Sequence, residues 1–181
     1  MSKKDQYLEH VRQARLQHKK WVNQIRLIVS GLSKDDEMIA LNPSESAFGD
    51  WLYSKAMTYS ISNSNLVLSD IEFLFDECYK EYHNIYAVLF KESSGGIISS
   101  LFGGQKASTS DYKIASQYYE TLLETSDKLL NKLRVFENQL SATNNEKFDK
   151  ALENEEFVKK EDIPAPKQKE QRYYRGSLIE D

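Results

Sequence analysis

The sequence predicts an all-α protein, an up-and-down four-helix bundle with a flexible Gly/Ser loop and a disordered C-terminal tail. Apolar residues recur at three- and four-residue intervals along three long stretches, which is the spacing of one helix face. Segments rich in Ser, Asn and Gly separate these stretches, and such segments form connections. A chain of 181 residues normally forms one domain with its own core. We therefore expect the bundle over residues 1–142 and a weak helix and tail over residues 143–181.

The first helix is predicted over residues 4–30. Its apolar stripe at helical spacing consists of Val11, Ala14, His18, Trp21, Val22, Ile25, Ile28 and Val29. His18 lies inside this stripe, and from the residues alone it is interpreted as a core histidine satisfied by a hydrogen bond. Gly31 follows the stripe and is expected to end the helix, as glycine commonly does.

Residues 31–42 are predicted to form a loop, and a short second helix is predicted from there to about residue 57. Asn42 is expected to cap this helix, and Pro43 occupies the first turn, where its missing N–H costs nothing. The Glu45 side chain can reach back to the cap. These three residues together predict a helix start.

Gly49 is an unusual residue inside this second helix. It costs a helix about 1 kcal/mol relative to Ala, so it is expected where another group comes close. Trp51 is the candidate for that neighbour. Ser46 falls in the first turn and is interpreted as a small residue that hydrogen-bonds locally at the helix start.

The third helix is predicted over residues 66–91, after a Ser/Asn-rich turn at residues 59–65. Its seam consists of Ile71, Phe75, Cys78, Tyr82, Ile85 and Leu89. Cys78 lies on this seam and is interpreted as a buried small hydrophobe rather than a nucleophile or ligand. Tyr79 and His83 are four residues apart and share another face of the helix, where a structural hydrogen bond between them is expected.

Residues 92–110 carry paired glycines and serines and are predicted to form the flexible loop. The apolar residues of this loop are Ile97, Ile98, Leu101 and Phe102. Two hypotheses are open: the loop covers an end of the bundle, or it offers a hydrophobic surface to a partner.

The fourth helix is predicted over residues 111–140, where the three-four repeat is the most regular in the chain. This repeat is either the fourth wall of the bundle or a pairing surface for a second chain. Residues 146–157 are predicted to form a weakly held helix, and the tail from residue 158 is predicted to be disordered. The aromatic and apolar island at residues 172–179 is either a docking motif or an unselective sticky segment.

Charge and composition exclude several classes of protein. A net charge of −4 provides no electrostatic footprint for nucleic acid. The single cysteine excludes an internal disulfide framework and fits a reducing compartment. No apolar run approaches the ~20 residues of a membrane-spanning helix, and the N-terminus has no signal-peptide core. We therefore expect a cytoplasmic protein without a membrane span.

Three segments carry a family resemblance: His-Lys-Lys-Trp at residues 18–21, Ser-Ala-Phe-Gly-Asp-Trp at residues 46–51, and Tyr-Lys-Glu-Tyr-His at residues 79–83. Together they resemble the CZB family, the chemoreceptor zinc-binding domain of bacterial signalling proteins. The family pattern is a His-x-x-Trp-like segment, then Cys-x-x-Gly-x-Trp, then His-x-x-x-His, on a four-helix bundle. The resemblance spans about residues 5–140.

In that family the first His, the Cys and the two His of the last motif bind zinc, so the resemblance implies zinc as the cofactor. His18 and His83 match two ligand positions and are the candidate metal ligands. Ser46 stands where the family has its Cys, and Tyr79 stands where it has the other His. A metal would need further donors. The carboxylates considered for this role are those of Asp76, Glu45 and Asp50.

The resemblance implies a sensory or regulatory module. In the family, zinc modulates a linked chemotaxis receptor or a cyclic-di-GMP-synthesising domain. No such output domain occurs in this sequence, so we expect the module to act through a partner protein, which is a chemotaxis or cyclic-di-GMP signalling component or a second copy of the chain. The alternative is a metal-free four-helix-bundle adaptor. An enzyme is not expected, since no Cys–His pair shares a face and three histidines are too few for a diiron bundle.

Overall fold

The computed structural model describes residues 1–33, 39–56, 65–90, 107–158, 173–174 and 177–178. Within these ranges the protein is all-α apart from one short β pairing. The helical elements are α1 (Lys3–Val29), a 3₁₀ turn (Pro43–Glu45), α2 (Ala47–Asp50), a π-helical segment (Trp51–Ala56), α3 (Asn65–Leu89), α4 (Thr109–Ala142) and α5 (Asn145–Val158). No described helix contains a stretch both long and apolar enough to cross a membrane.

The first predicted helix is confirmed to within one residue at each end. Ser2 caps α1 and forms a reciprocal pair of hydrogen bonds with Asp5, so two backbone N–H groups at the helix start are satisfied. Ser30 is the C-cap, and Gly31 follows it with φ 68. This left-handed conformation is the one that glycine adopts without steric cost, and the glycine therefore ends the helix as predicted.

The third and fourth predicted helices are also confirmed, with small shifts at their ends. Ser108 caps α4 through a capping box with Asp111, so the helix begins before the predicted position and residues 109–110 of the predicted loop are helical. The rest of that loop up to residue 106, with its four apolar residues, lies outside the described residues. Residues 59–64 of the turn predicted over residues 59–65 lie outside them too, and residue 65 is the first residue of α3.

The prediction of one continuous second helix is wrong. Asn42 accepts a hydrogen bond from the backbone N–H of Ser44 as predicted, but only a single 3₁₀ turn follows. Ser46 then adopts extended backbone angles and caps α2. Its hydroxyl accepts from the Gly49 N–H (2.9 Å) and donates to the Pro43 carbonyl (2.8 Å). At Ser46 the side-chain hydroxyl makes hydrogen bonds that backbone groups would make inside a continuous helix. The 3₁₀ turn therefore ends here and α2 begins as a separate helix.

Helix α4 packs lengthwise against both α1 and α3. Arg12 near the start of α1 binds Glu137 near the end of α4 (2.8 Å), whereas the Tyr119 hydroxyl donates to the carbonyl of Val22 (3.5 Å). Residue numbers therefore rise along α1 as they fall along α4, and the two helices are antiparallel.

Helix α1 also contacts α3 through aromatic side chains. The His18 ring meets Phe75 (6.5 Å between centroids), and the Trp21 ring meets Tyr82 (5.7 Å). Because residue numbers rise together along both helices, α1 and α3 run parallel. The short α2 joins the same contact region, since its Phe48 packs against Phe75 at 4.7 Å.

Helix α5 continues the packing beyond the predicted bundle. Phe148 is buried and its ring lies 5.8 Å from that of Tyr7, a contact that sequence analysis does not anticipate. Further on, Tyr173–Tyr174 pairs antiparallel with Ser177–Leu178. The prediction of a disordered tail therefore does not hold for these four residues. The other tail residues lie outside the described ranges.

Candidate functional site around His18

Five aromatic residues from α1, α2 and α3 form one continuous group, which we term the His18 cluster: His18, Trp21, Phe48, Phe75 and Tyr79. Trp21 stacks on Tyr79 with 4.9 Å between ring centroids and on His18 with 5.7 Å. Phe48 contacts the His18 ring in a tilted arrangement, with 5.4 Å between centroids. Stacked and edge-to-face pairs of this kind stabilise a core beyond the area they bury.

His18 is fully buried, at 0% exposure, at the centre of this cluster. Its Nε2 lies 2.9 Å from the Ser126 hydroxyl on α4, which confirms the interpretation as a core histidine held by a hydrogen bond. Burial lowers the pKa of His18 from 6.5 to about 4, so the ring is neutral near pH 7. Its Nδ1 has no hydrogen-bond partner among the described residues.

We expect stability to fall with acidification because of this histidine. An unfolded His18 takes up a proton below its ordinary pKa of 6.5, whereas the folded one stays neutral down to about 4. In that window the unfolded state binds more protons, so His18 lowers the free energy of unfolding by about 3 kcal/mol from pH 6.5 to pH 4. Above pH 6.5 the effect is absent.

Urea unfolding at a series of pH values measures this contribution. The control is the double variant His18→Phe, Ser126→Ala, which removes both members of the buried hydrogen bond and therefore leaves neither unsatisfied. Carboxylates titrate in both proteins, so the difference between their two pH profiles isolates His18. Parallel profiles for the two proteins between pH 4 and pH 6.5 would contradict the prediction.

Ser46 lies next to Tyr79, a member of the cluster. Burial raises the pKa of Tyr79, while the nearby Ser46 and Trp21 lower it to a smaller extent. Neither neighbour reaches hydrogen-bond geometry with the phenol, whose hydroxyl is buried without a partner among the described residues. The interpretation of Ser46 as a local hydrogen-bonding residue at a helix start is confirmed by its bonds to Pro43 and Gly49.

His83 lies at the surface end of the same α3 face. Its ring meets the edge of Tyr79 at 6.0 Å, and the expected hydrogen bond between the two is absent: the His83 Nε2 lies 2.8 Å from the Leu41 carbonyl, to which it donates. The adjacent Tyr82 donates its hydroxyl hydrogen to the Ile39 carbonyl (3.2 Å). These two bonds hold residues 39–41, which we term the strap, against α3.

Four residues of this chain correspond to the zinc ligands of the family pattern: His18, Ser46, Tyr79 and His83. Their side chains do not form a suitable ligand set for zinc. They are two imidazoles, a serine hydroxyl and a phenol whose pKa is raised by burial, so no thiolate or carboxylate is among them. Within the part of the chain that the structure describes, no group of three or more His, Cys, Asp or Glu side chains is arranged to hold a metal ion.

The three carboxylates considered as further donors do not complete this set. Asp76 accepts a hydrogen bond from the Tyr53 hydroxyl (3.3 Å), and Glu45 accepts one from the Asn42 amide (3.4 Å). Asp50 is exposed on α2. Cys78 is buried as predicted, and burial raises the pKa of its thiol to about 12, so it is a protonated, apolar group rather than a ligand.

A cavity of about 250 Å³ opens beside His18. It is lined by four members of the His18 cluster (His18, Trp21, Phe48 and Phe75) and by residues of α1, the strap, the turn that precedes α2 and the start of α2. The wall residues on α1 include Gln17, Lys20 and Gln24, which sequence analysis did not single out. Their helical spacing is compatible with any solvated face, so no sequence signal marks them.

No family model matches the chain, and neither a curated protein nor a solved structure matches it.

Proposed function

We propose that this protein is a regulatory module of the CZB type that acts in bacterial signalling through a partner protein and is not an enzyme. In this proposal α1, α3 and α4 are three members of an up-and-down four-helix bundle. The α2 helix and the π-helical segment after it form the short fourth member. The antiparallel packing of α1 on α4, and the contact of Phe48 on α2 with His18 on α1 and Phe75 on α3, support this topology.

The observation that carries the proposal is the convergence of the four positions taken over from the family pattern. His18 and Ser46 line one cavity, Ser46 lies beside Tyr79, and Tyr79 contacts His83. The four residues come from three segments, since Tyr79 and His83 lie one turn apart on α3, and together they span 66 positions of the chain. The packing of α1, the start of α2 and α3 brings these three segments into one neighbourhood, as the family pattern requires.

The proposed module works without the family's zinc. Tyr79 stacks on Trp21 where the family has a ligand, and the Ser46 hydroxyl, where the family has its Cys, bonds to Pro43 and Gly49. The aromatic contacts of the His18 cluster supply the cohesion that a metal would supply elsewhere. The partner required is a chemotaxis receptor component, a cyclic-di-GMP-synthesising protein, or a second copy of this chain.

Capture of the partner tests this proposal. The full chain, tagged and expressed in the cells it comes from, is cross-linked and purified, and the bound proteins are identified by mass spectrometry. An unrelated tagged helical bundle of similar charge is the control. We expect enrichment of a chemotaxis or cyclic-di-GMP signalling component, or of untagged copies of the same chain. Enrichment of none of these above the control overturns the proposal.

A further inference from the structure

We infer that this protein binds further copies of itself head to tail, through two different exposed patches. The Leu16 patch on α1 consists of Leu16, Arg12, Gln13, Lys19 and Lys20. The Phe73 patch on α3 consists of Phe73, Ser69, Asp70, Asp76 and Glu77. The inference specifies the second copy named among the partners in the proposed function, and only its signalling role rests on that function. Association is measured with the purified chain alone, so its failure leaves the other proposed partners untouched.

The two helices that carry these patches have opposite charge. Helix α1 contains seven Lys and Arg residues and two Asp and Glu residues, whereas α3 contains five Asp and Glu residues and one Lys. The net charge of the whole chain is only −4, so positive and negative charges are concentrated on different helices. A molecule with one basic and one acidic helix is electrostatically complementary to a second copy of itself.

Leu16 is the exposed apolar centre of the basic patch. It is 45% exposed, and the four residues one helical turn before and after it are all exposed: Arg12, Gln13, Lys19 and Lys20. Arg12 forms an ion pair with Glu137 (2.8 Å). Lys19 and Lys20 form no ion pair within the part of the chain that the structure describes. Two cations beside Leu16 are therefore available to a partner.

Phe73 is the exposed aromatic centre of the acidic patch. It is 63% exposed, and the residues one helical turn before and after it are Ser69, Asp70, Asp76 and Glu77. Asp70 is bonded to Lys132 (2.6 Å) and Glu77 to Lys80 (3.3 Å). Asp76 forms no ion pair among the described residues and accepts only the Tyr53 hydroxyl (3.3 Å). It is therefore an anion that a partner's cation can reach.

The two patches complement each other in chemistry. Each has a large apolar side chain at its centre, surrounded by cations at Leu16 and by anions at Phe73. A central apolar anchor inside a polar ring is the arrangement found at the energetic centre of protein interfaces. Binding of one patch to the other removes both apolar side chains from water and brings Lys19 and Lys20 towards Asp76.

The contact joins unlike surfaces, so it can repeat from copy to copy. Both patches are exposed on the folded chain, and they therefore do not cover each other within one copy. Two Leu16 patches, or two Phe73 patches, would repel each other because their charges have the same sign. A contact between unlike patches leaves one of each free and forms a ring or an open chain of copies.

Sedimentation velocity of the full chain over a range of concentrations tests this inference. We expect the average mass to rise above the 21.0 kDa of one copy, with a dissociation constant below about 100 µM. Raising the salt concentration from about 0.05 M to about 0.5 M should weaken the association about 10-fold, because salt screens exposed charges.

Two variants each remove one patch and retain the other. Leu16→Gln, Lys19→Gln and Phe73→Gln, Asp76→Asn should each self-associate about 10-fold more weakly than the natural chain. The changes lie on exposed helix surfaces, where Gln is well tolerated, and circular dichroism checks that the helices remain. Mixed in equal amounts, the two variants should form a dimer and stop there, since each supplies the patch that the other lacks.

Lys113→Gln, Ile114→Gln is the matched control. It removes an exposed aliphatic side chain and a neighbouring cation from α4, outside both patches, and should associate like the natural chain.

The inference is overturned if the natural chain keeps the mass of one copy up to about 1 mM, in which case the patches meet solvent or a different protein. Undiminished association of both variants would place the contact elsewhere and overturn it as well. If the variants lose association and their mixture forms no dimer, the contact joins like patches and the head-to-tail arrangement is wrong.

Discussion

The double variant Ser46→Cys, Tyr79→His should bind zinc stoichiometrically, with a dissociation constant of about 1 nM, equivalent to about 12 kcal/mol of binding free energy. It restores the Cys and His of the family pattern at the two positions where this chain departs from it. The four donors would then be one thiolate and three imidazoles, a set that suits tetrahedral zinc. The natural chain, with a hydroxyl and a phenol at these positions, should bind zinc far more weakly.

Competition with a chromophoric chelator measures the affinity, and elemental analysis measures the stoichiometry. The two single variants are the matched controls and should each bind weakly, because each supplies three strong donors at most. Cys78→Ser in the double variant should change nothing, since that thiol is buried and protonated. Adding His83→Ala should abolish tight binding. If the double variant gains no zinc, the correspondence of positions is wrong.

Gly49→Ala should destabilise the fold by about 4 kcal/mol, a large loss for a change of one methyl group. A Cβ at residue 49 would lie 1.9 Å from the carbonyl oxygen of Pro43, which is a backbone atom and cannot rotate away. Relief of this overlap would separate the 3₁₀ turn from α2. It would also stretch the hydrogen bonds that Ser46 makes to Pro43 and Gly49.

Urea unfolding of the variant beside the natural chain measures this loss. Gly31→Ala is the matched control, because its Cβ would meet only the Tyr112 ring at 3.6 Å. At Gly31 the cost arises from the left-handed backbone (φ 68) and should be about 1 kcal/mol. A loss at Gly49 no greater than that at Gly31 would show that the turn can shift, and would contradict the prediction.

The two glycines illustrate what a sequence can and cannot predict. At Gly31 the helix-ending role follows from the end of an apolar stripe, and the left-handed backbone confirms it. At Gly49 a close neighbour was predicted, but its identity as Trp51 is wrong, since the neighbour is the Pro43 carbonyl. The broken second helix explains the error. A turn and a cap at Ser46 fold the chain back on itself where one continuous helix was predicted.

At the candidate site, too, the sequence predicted some features of His18 and its surroundings and missed others. Its place on the apolar stripe of α1 predicted burial and a hydrogen bond, and both are confirmed. The partner, Ser126, lies 108 residues away and belongs to a repeat in which its hydroxyl has no distinguishing spacing. The strap was predicted only as loop, and its contacts with Tyr82 and His83 depend on how α3 is oriented.

By itself, the sequence of this protein determined its three long helices, the cap at Asn42, the helix end at Gly31 and the buried state of Cys78. Helical periodicity and capping involve residues within a few positions of one another, so they can be read locally. Only the tertiary structure decided which groups surround His18, what fills the space at Gly49 and where the cavity lies. Those outcomes depend on how distant helices pack, and side-chain packing is specified by the whole core rather than by any one segment.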